Sequence, residues 1–180
     1  MLPDLVRIIL RETPIKKVRI SSLGVEFVRD DMISLFANDR VTPYAHLSIQ
    51  SGSDRILTAM NRHYTRDTLL DALCKLRNTQ RSDGASIQIG ADLIVGFPGE
   101  DERDFEDTLS LVSEYGVSQV HGFPFSPHQS QHSVPAGKFA HQIDEATKQS
   151  RLKTLIEAGA KSKEAFARSQ SGKVTSLLVE

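Results

Sequence analysis

Four short strings hold the residue types that do chemistry in α/β proteins: SLGVE (22–26), QSGSD (50–54), GFPGE (96–100) and FPFSPH (123–128). In parallel α/β folds, sites gather at the C-terminal strand ends and in the loops that follow them. GFPGE has the clearest mechanics. Pro98 pre-sets φ and Gly99 supplies a positive φ, so a type II turn is expected, aiming Glu100 and nearby amides across the top of a sheet. Phosphate binding is disfavoured there, because Asp101, Glu102, Asp104 and Glu106 already crowd the following helix start with negative charge. Glu100 is then either a ligand-facing carboxylate or a solvated acid at the start of that helix. In QSGSD, Ser53 or Asp54 is suited to cap the next helix. Arg62, in MNRHYT, either reaches back over the strand ends to pair with a carboxylate or stays a surface arginine.

Other reactive types exclude more than they support. His46 and His121 match no zinc-ligand spacing, so no metal site is expected, and core hydrogen bonding is their ordinary role. Ser48, Ser51 and Ser126 sit in no G-x-S-x-G elbow, which leaves serine-hydrolase chemistry without support. Cys74, the sole cysteine, reads as a structural residue within a helix beside Leu73. One thiol excludes an internal disulfide and any multi-thiolate or iron–sulfur site built from this chain alone.

These strings require a scaffold, and periodicity supplies one. Leu2, Leu5, Val6, Ile9 and Leu10 recur at helical spacing, with Pro14 just beyond. KKVRISSL (16–23) reads as a strand, RDDMISLFAN (29–38) as a helix and AHLSIQ (45–50) as a second strand. A short helix through Ile56, Leu57 and Met60 precedes a longer one from near Thr65, with Leu69, Leu73 and Leu76 on one face. SIQIGADLIVGF (86–97) is the strongest strand, followed by an amphipathic helix (101–116) with Phe105, Leu109 and Val112 inward and Gly116 as its stop. SQVHGFPF (118–125) is a fourth strand, residues 126–137 form a loop, and a long helix runs from near Gln142 to Ser169. The closing GKVTSLLVE (172–180) reads as one more strand.

Such alternation points to an α/β fold with a parallel sheet, either doubly wound or part of a (βα) barrel. Strand parity favours the barrel. Arg19 and Ser21 share one face of the first strand, His46, Ser48 and Gln50 one face of the second, Gln88 and Asp92 one face of the third, and His121 lies on the fourth. Fully buried parallel strands would be apolar on both faces, so this face is expected to line a ligand cavity, as a barrel lumen does. A half-exposed antiparallel sheet would show the same alternation. The expectation is an incomplete TIM-type barrel of about four parallel strands with flanking helices.

Composition sets the outer bounds. A net charge of −1, from 22 basic and 23 acidic residues, gives no global field for nucleic acid or anionic membrane. No apolar run reaches the roughly 18–20 residues of a membrane span and the N-terminus lacks a signal-peptide shape, so a cytoplasmic setting without membrane contact is expected.

RISSL, HLSIQSGSDRILTAMNRHYT, DLIVGFPGEDERDFEDTLSLV, VHGFPFSP and GKVTSLLVE stand in one order. In that order they resemble the radical S-adenosylmethionine (SAM) methylthiotransferases, and MNRHYT and HGFPFSP resemble most the branch acting on threonylcarbamoyladenosine in tRNA. The resemblance implies SAM and [4Fe-4S] clusters as cofactors and tRNA as partner, with sulfur insertion and methylation at a C–H bond of the modified adenosine. It divides the chain into the C-terminal part of a radical SAM barrel (1–140), a long helix closing or linking it (141–170) and the first strand of an RNA-binding TRAM domain (171–180). It also implies an N-terminal domain, a cluster loop of C-x-x-x-C-x-x-C type and a complete TRAM domain that these residues do not include, so the chain is expected to be an inactive fragment. By motif position, Gln50, Arg62, Asp92, Glu100 and Ser126 would contact SAM. Inward parity assigns His46, Ser48, His121, Phe123 and Phe125 to a substrate cavity. The family's Ser-Ser-(Ile/Leu)-Glu-Pro is replaced by Ser21-Ser22-Leu23-Gly24-Val25-Glu26, and its Arg and Gly-Thr-x-Ala loop by PHQSQHSVPA, so no role carries over to Glu26 or His128. The branches acting on isopentenyladenosine or on a ribosomal protein are alternatives, as is a non-catalytic α/β binding module. A sheet edge left bare would favour a homodimer.

Overall fold

A computed structural model describes residues 1–126 and 139–173. Helix α1 (Leu2–Glu12) begins at Pro3, which suits a first turn, and buries Pro3 and Val6. A 3-10 turn (Val25–Phe27) leads to α2 (Asp30–Phe36), whose buried residues are Met32, Leu35 and Phe36. Strand β1 (Tyr44–Gln50), α3 (Asp54–Ala59) and α4 (Arg66–Asn78) follow. The Thr65 hydroxyl caps α4 by accepting from the Thr68 amide, and Leu69, Leu73 and Leu76 are buried as their spacing requires. Strand β2 (Gln88–Val95) leads into α5 (Glu102–Ser113), which starts on a reciprocal Asp101–Asp104 capping box. Strand β3 (Val117–Pro124) and α6 (Glu145–Ser169), capped by Asp144, complete the described elements.

The three strands form one parallel sheet in the order β1-β2-β3, with Tyr44 opposite Gln88 and Asp92 opposite His121. The α/β class and parallel sheet agree with the sequence. Ala45, Leu47 and Ile49 of β1 are fully buried beneath the helices, while His46, Ser48 and Gln50 are half-buried on the other face. Helix α6 packs on β3 through two close approaches. Gly159 leaves space for Val120, and Gly122 for Leu152 and Leu155; a Cβ at Gly159 would lie 2.9 Å from Val120.

The expected strand at 16–23 is corrected. The segment makes two isolated parallel bridges, Val18 with Val41 and Leu23 with Leu47, so three regular strands stand among the described residues in place of the about four expected. Ser22 adopts φ +53, which breaks the extended path and shifts Leu23 back into register. Arg40 holds the connection upstream, donating to the carbonyls of Leu10, Thr13 and Ile15 at 2.6–2.8 Å. Among the described residues, no strand pairs with the sheet beyond this segment. A cavity of about 380 Å³ beside it is lined by Leu2, Leu23, Phe27 and Met32. No helix among the described residues is long and apolar enough to cross a membrane. The expected closing strand at 172–180 falls, from Val174 on, outside the described residues.

Candidate functional site

The turns after β1 and β2 lie side by side at the C-terminal end of the sheet. At the second, the Glu100 amide donates to the Phe97 carbonyl at 2.9 Å and Gly99 has φ +83, which is the type II turn that Pro98-Gly99 encodes. Glu100 turns inward rather than into solvent. Its Oε1 accepts from the Gly96 amide at 2.8 Å and from Arg151 of α6 at 2.7 Å. Burial pushes the Glu100 carboxyl above its ordinary range, opposed by the Gly96 amide and by Arg151. Its Oε2 and the Arg151 Nε are buried without a hydrogen-bond partner among the described residues.

The turn after β1 is bound to α5, and here the capping expectation is corrected. Ser53 occupies the N-cap position of α3 but makes no capping bond; its hydroxyl donates to Asp104 at 2.5 Å. Asp54 accepts from the Arg66 amide at the start of α4. Gly52 packs so closely on α5 that a Cβ would lie 2.4 Å from the Asp107 carbonyl oxygen, and its amide donates to the Thr108 hydroxyl. Arg66 completes the clamp through the Gly52 and Asp107 carbonyls and the Ser110 hydroxyl. These donors and acceptors are used up within the fold, which leaves Gln50, with φ +72 at the end of β1, facing the polar side of the sheet.

Arg62 is exposed and makes no side-chain hydrogen bond among the described residues. It lies near Tyr64, whose hydroxyl donates to the Ile49 carbonyl at 2.6 Å and ties the Arg62 loop to the end of β1. Burial pushes the Tyr64 hydroxyl up to about 12, while Arg62 opposes and Glu26 adds to the shift. Ser126, directly after β3, is exposed; His128 lies outside the described residues. Phe125 meets Phe97 edge-to-face at 5.1 Å, and Lys148 Nζ lies 5.8 Å from the Phe125 ring. Phe123 is half-exposed on the open face.

Below these turns, the polar face joins residues from three strands. His46 Nε2 lies 3.0 Å from Asp92 Oδ2, and His121 meets the His46 ring edge-to-face at 5.1 Å. Asp92, assigned by motif to SAM, therefore keeps company with residues assigned to the substrate cavity. Tyr44, Tyr64, Arg66 and Arg151 escaped sequence reasoning. Tyr44 had a usable signal, since it shares parity with His46; Arg151 had none, being distant in sequence from the acid it serves. Cys74 is exposed rather than a core residue, one step off the buried stripe of α4, and Asn78 donates to its sulfur at 3.2 Å. No cluster of three metal-ligating side chains occurs among the described residues.

Known proteins are similar to this chain in sequence and in fold. Residues 1–112 fit the family model described as the Radical SAM superfamily. The chain is 36% identical over 171 residues to the tRNA-2-methylthio-N(6)-dimethylallyladenosine synthase of Clostridium botulinum strain Hall, covering 92% of this chain and 36% of that protein. It is 38% identical over 157 residues to the threonylcarbamoyladenosine tRNA methylthiotransferase MtaB of Thermotoga maritima, covering 87% and 35%. It thus spans about a third of the length of these relatives. Among solved structures, coproporphyrinogen III oxidase (HemN) of Escherichia coli, a radical SAM enzyme, superposes with a TM-score of 0.64 at 18% identity, covering 88% of this chain and 36% of that one.

Proposed function

The chain belongs to the radical SAM superfamily and, within it, to the methylthiotransferase family; on that premise we propose that it is the substrate-facing part of an enzyme that methylthiolates N6-threonylcarbamoyladenosine in tRNA. The observation that carries this reading is the polar sheet face, where His46, Asp92 and His121 converge beneath two tight strand-end turns. Gln50, Arg62 and Ser126 stand at the strand ends, where an amide, a guanidinium and a hydroxyl suit the amine, carboxylate and ribose of SAM, in that order. Phe125 offers a ring for adenine, and Glu100 keeps the Gly96–Glu100 turn closed beneath it. His46, Ser48, His121 and Phe123 would then face the nucleoside. SAM, when bound and reductively cleaved, supplies a radical that removes a hydrogen atom from a substrate C–H bond.

The residues present do not suit a [4Fe-4S] cluster. Cys74 is the only thiol and lies exposed on α4, so cluster ligands must come from outside these 180 residues. Reconstituted anaerobically, the 180-residue chain alone is expected to take up no cluster and cleave no SAM; a stoichiometric cluster absorbance on the monomer overturns that. We also propose a cytoplasmic setting, and pairing of the open 18–23 edge with a second copy of the chain.

A dimethylallyladenosine substrate is the second reading, favoured by the relative of that name at similar identity. Expressing the whole reading frame that contains this chain in a bacterium lacking both activities, followed by mass spectrometry of tRNA nucleosides, separates the two. The expected product is the 2-methylthio derivative of threonylcarbamoyladenosine. The dimethylallyl derivative instead would move the substrate to the second reading, and neither product would overturn both.

A further inference from the structure

Tyr44, His46, Asp92 and His121 run across the polar face of all three strands. The Tyr44 hydroxyl stands 3.1 Å from His46 Nδ1, and the other ring nitrogen, Nε2, stands 3.0 Å from Asp92 Oδ2. His46 pairs in register with Gly90, so Asp92 is its diagonal neighbour two residues along the same face. Gly90 makes the array possible, because a Cβ there would lie 2.2 Å from the Tyr44 hydroxyl oxygen. Arg19 covers the outer side of the Tyr44 ring, 5.0 Å from its centroid.

The protons follow from the neighbours. Asp92 presents a carboxylate oxygen, which only accepts, so the Nε2 facing it bears the His46 proton and Nδ1 accepts from the Tyr44 hydroxyl. Among the described residues the second carboxylate oxygen, Oδ1, has no hydrogen bond, and the side chain remains partly open to solvent. His121 stands opposite Asp92 in register and Phe123 two residues further along β3, so both lie on the same face of the sheet as Asp92.

We propose that Asp92 reads the bound nucleoside by accepting an N–H or O–H donor on Oδ1, and that Tyr44 is a positioning residue that fixes the His46 tautomer holding Asp92 in place. The inference rests on the nucleoside reading of the cavity. Asp92→Asn turns the carbonyl of the new amide to the His46 N–H and its NH2 to the open face, so a donor meets a donor. Gly90→Ala displaces the Tyr44 hydroxyl, a second route to the effect of Tyr44→Phe.

The test uses the full 180-residue chain with 15N-labelled histidine and adenosine as the probe. Long-range proton–nitrogen spectra are expected to show His46 as the Nε2–H tautomer, with that preference lost in Tyr44→Phe and in Gly90→Ala. Adenosine is expected to shift the His46 and His121 ring signals, with affinity about tenfold or more lower in Asp92→Asn and reduced to a smaller degree in the two tautomer variants. A Nδ1–H tautomer in the parent chain, or an unchanged tautomer in both variants, overturns the role of Tyr44. Parent-like affinity in Asp92→Asn overturns the role of Asp92 while the nucleoside reading stands. Adenosine leaving both ring signals unmoved in the parent chain overturns that reading and the inference with it.

Discussion

Arg151→Met is expected to destabilise the protein by about 3–5 kcal/mol, because it strips the counter-charge from a buried carboxylate. Glu100 is 3% exposed and Arg151 9% exposed, and their contact at 2.7 Å is the link between α6 and the turn after β2. Methionine keeps the length of the stem but loses the guanidinium that lies 5.5 Å from the Phe105 ring centre, so a smaller cation–π share adds to the loss of charge. For a chain of this size the shift corresponds to a fall in Tm of about 10 °C. The sign with pH follows from Glu100. Its carboxyl is held above the ordinary 4.5 even with arginine present, so its favourable contribution exists below that value and is lost as pH rises through the folded pKa. Without Arg151 the folded pKa climbs further, and the deficit of the variant should shrink on acidification from neutral pH, as Glu100 takes up its proton. Adding Glu100→Gln to Arg151→Met should recover most of the stability, since the amide oxygen still accepts from Gly96 and no buried charge remains. Urea titrations of the parent and the two variants at neutral and mildly acidic pH check this. A deficit that does not depend on pH would mean that the charge is not its cause.

The helices were legible because their signals are local. Thr65 precedes Arg66, the Asp101–Asp104 box precedes α5, and Asp144 opens α6; each cap can be read within four residues. Parity likewise placed His46, Ser48, Gln50 and Asp92 on one face before any pairing was known. Errors arose where partners are remote. Ser53 and Asp54 look like caps for α3, but the Asp104 carboxylate and the Arg66 amide compete for them and win, because the chain folds those groups within 2.5 Å. Glu100 sits where a solvated helix-start acid belongs, yet Arg151, distant in sequence, draws it into the core. The Tyr44–His46 contact needs a glycine on the neighbouring strand, and nothing near Tyr44 in the sequence announces Gly90. The strand expected at 16–23 failed through backbone conformation, since the left-handed Ser22 interrupts a run whose side chains suit a strand.

Asp104→Ala should cost about 3 kcal/mol, from charge-assisted hydrogen bonds at the junction of the two strand-end turns. Its carboxylate receives the Ser53 hydroxyl at 2.5 Å, the Asp101 amide at 2.8 Å and the Arg55 guanidinium. Alanine leaves the buried Ser53 hydroxyl without its acceptor, whereas Arg55 keeps Asp101 at 3.2 Å and the Gly99 carbonyl at 2.7 Å. The loss therefore falls on the turn after β1 more than on the arginine. Burial pushes the Asp104 carboxyl up, but the Ser53, Asp101 and Arg55 hydrogen bonds outweigh it and hold the group below 3.8. A depressed acid stabilises the fold above its unfolded pKa, and that contribution fades as pH falls through the folded one. The gap between parent and Asp104→Ala should thus stay constant down to the ordinary carboxylate range and close only below it. The Arg151→Met gap, governed by an acid shifted the other way, should begin to close above that range. Two carboxylates a few residues apart, one raised by burial and one lowered by donors, therefore separate along the pH axis. Denaturation of both variants across the acid limb shows which turn each acid secures. Overlapping pH profiles would mean that the two acids are not shifted in opposite directions.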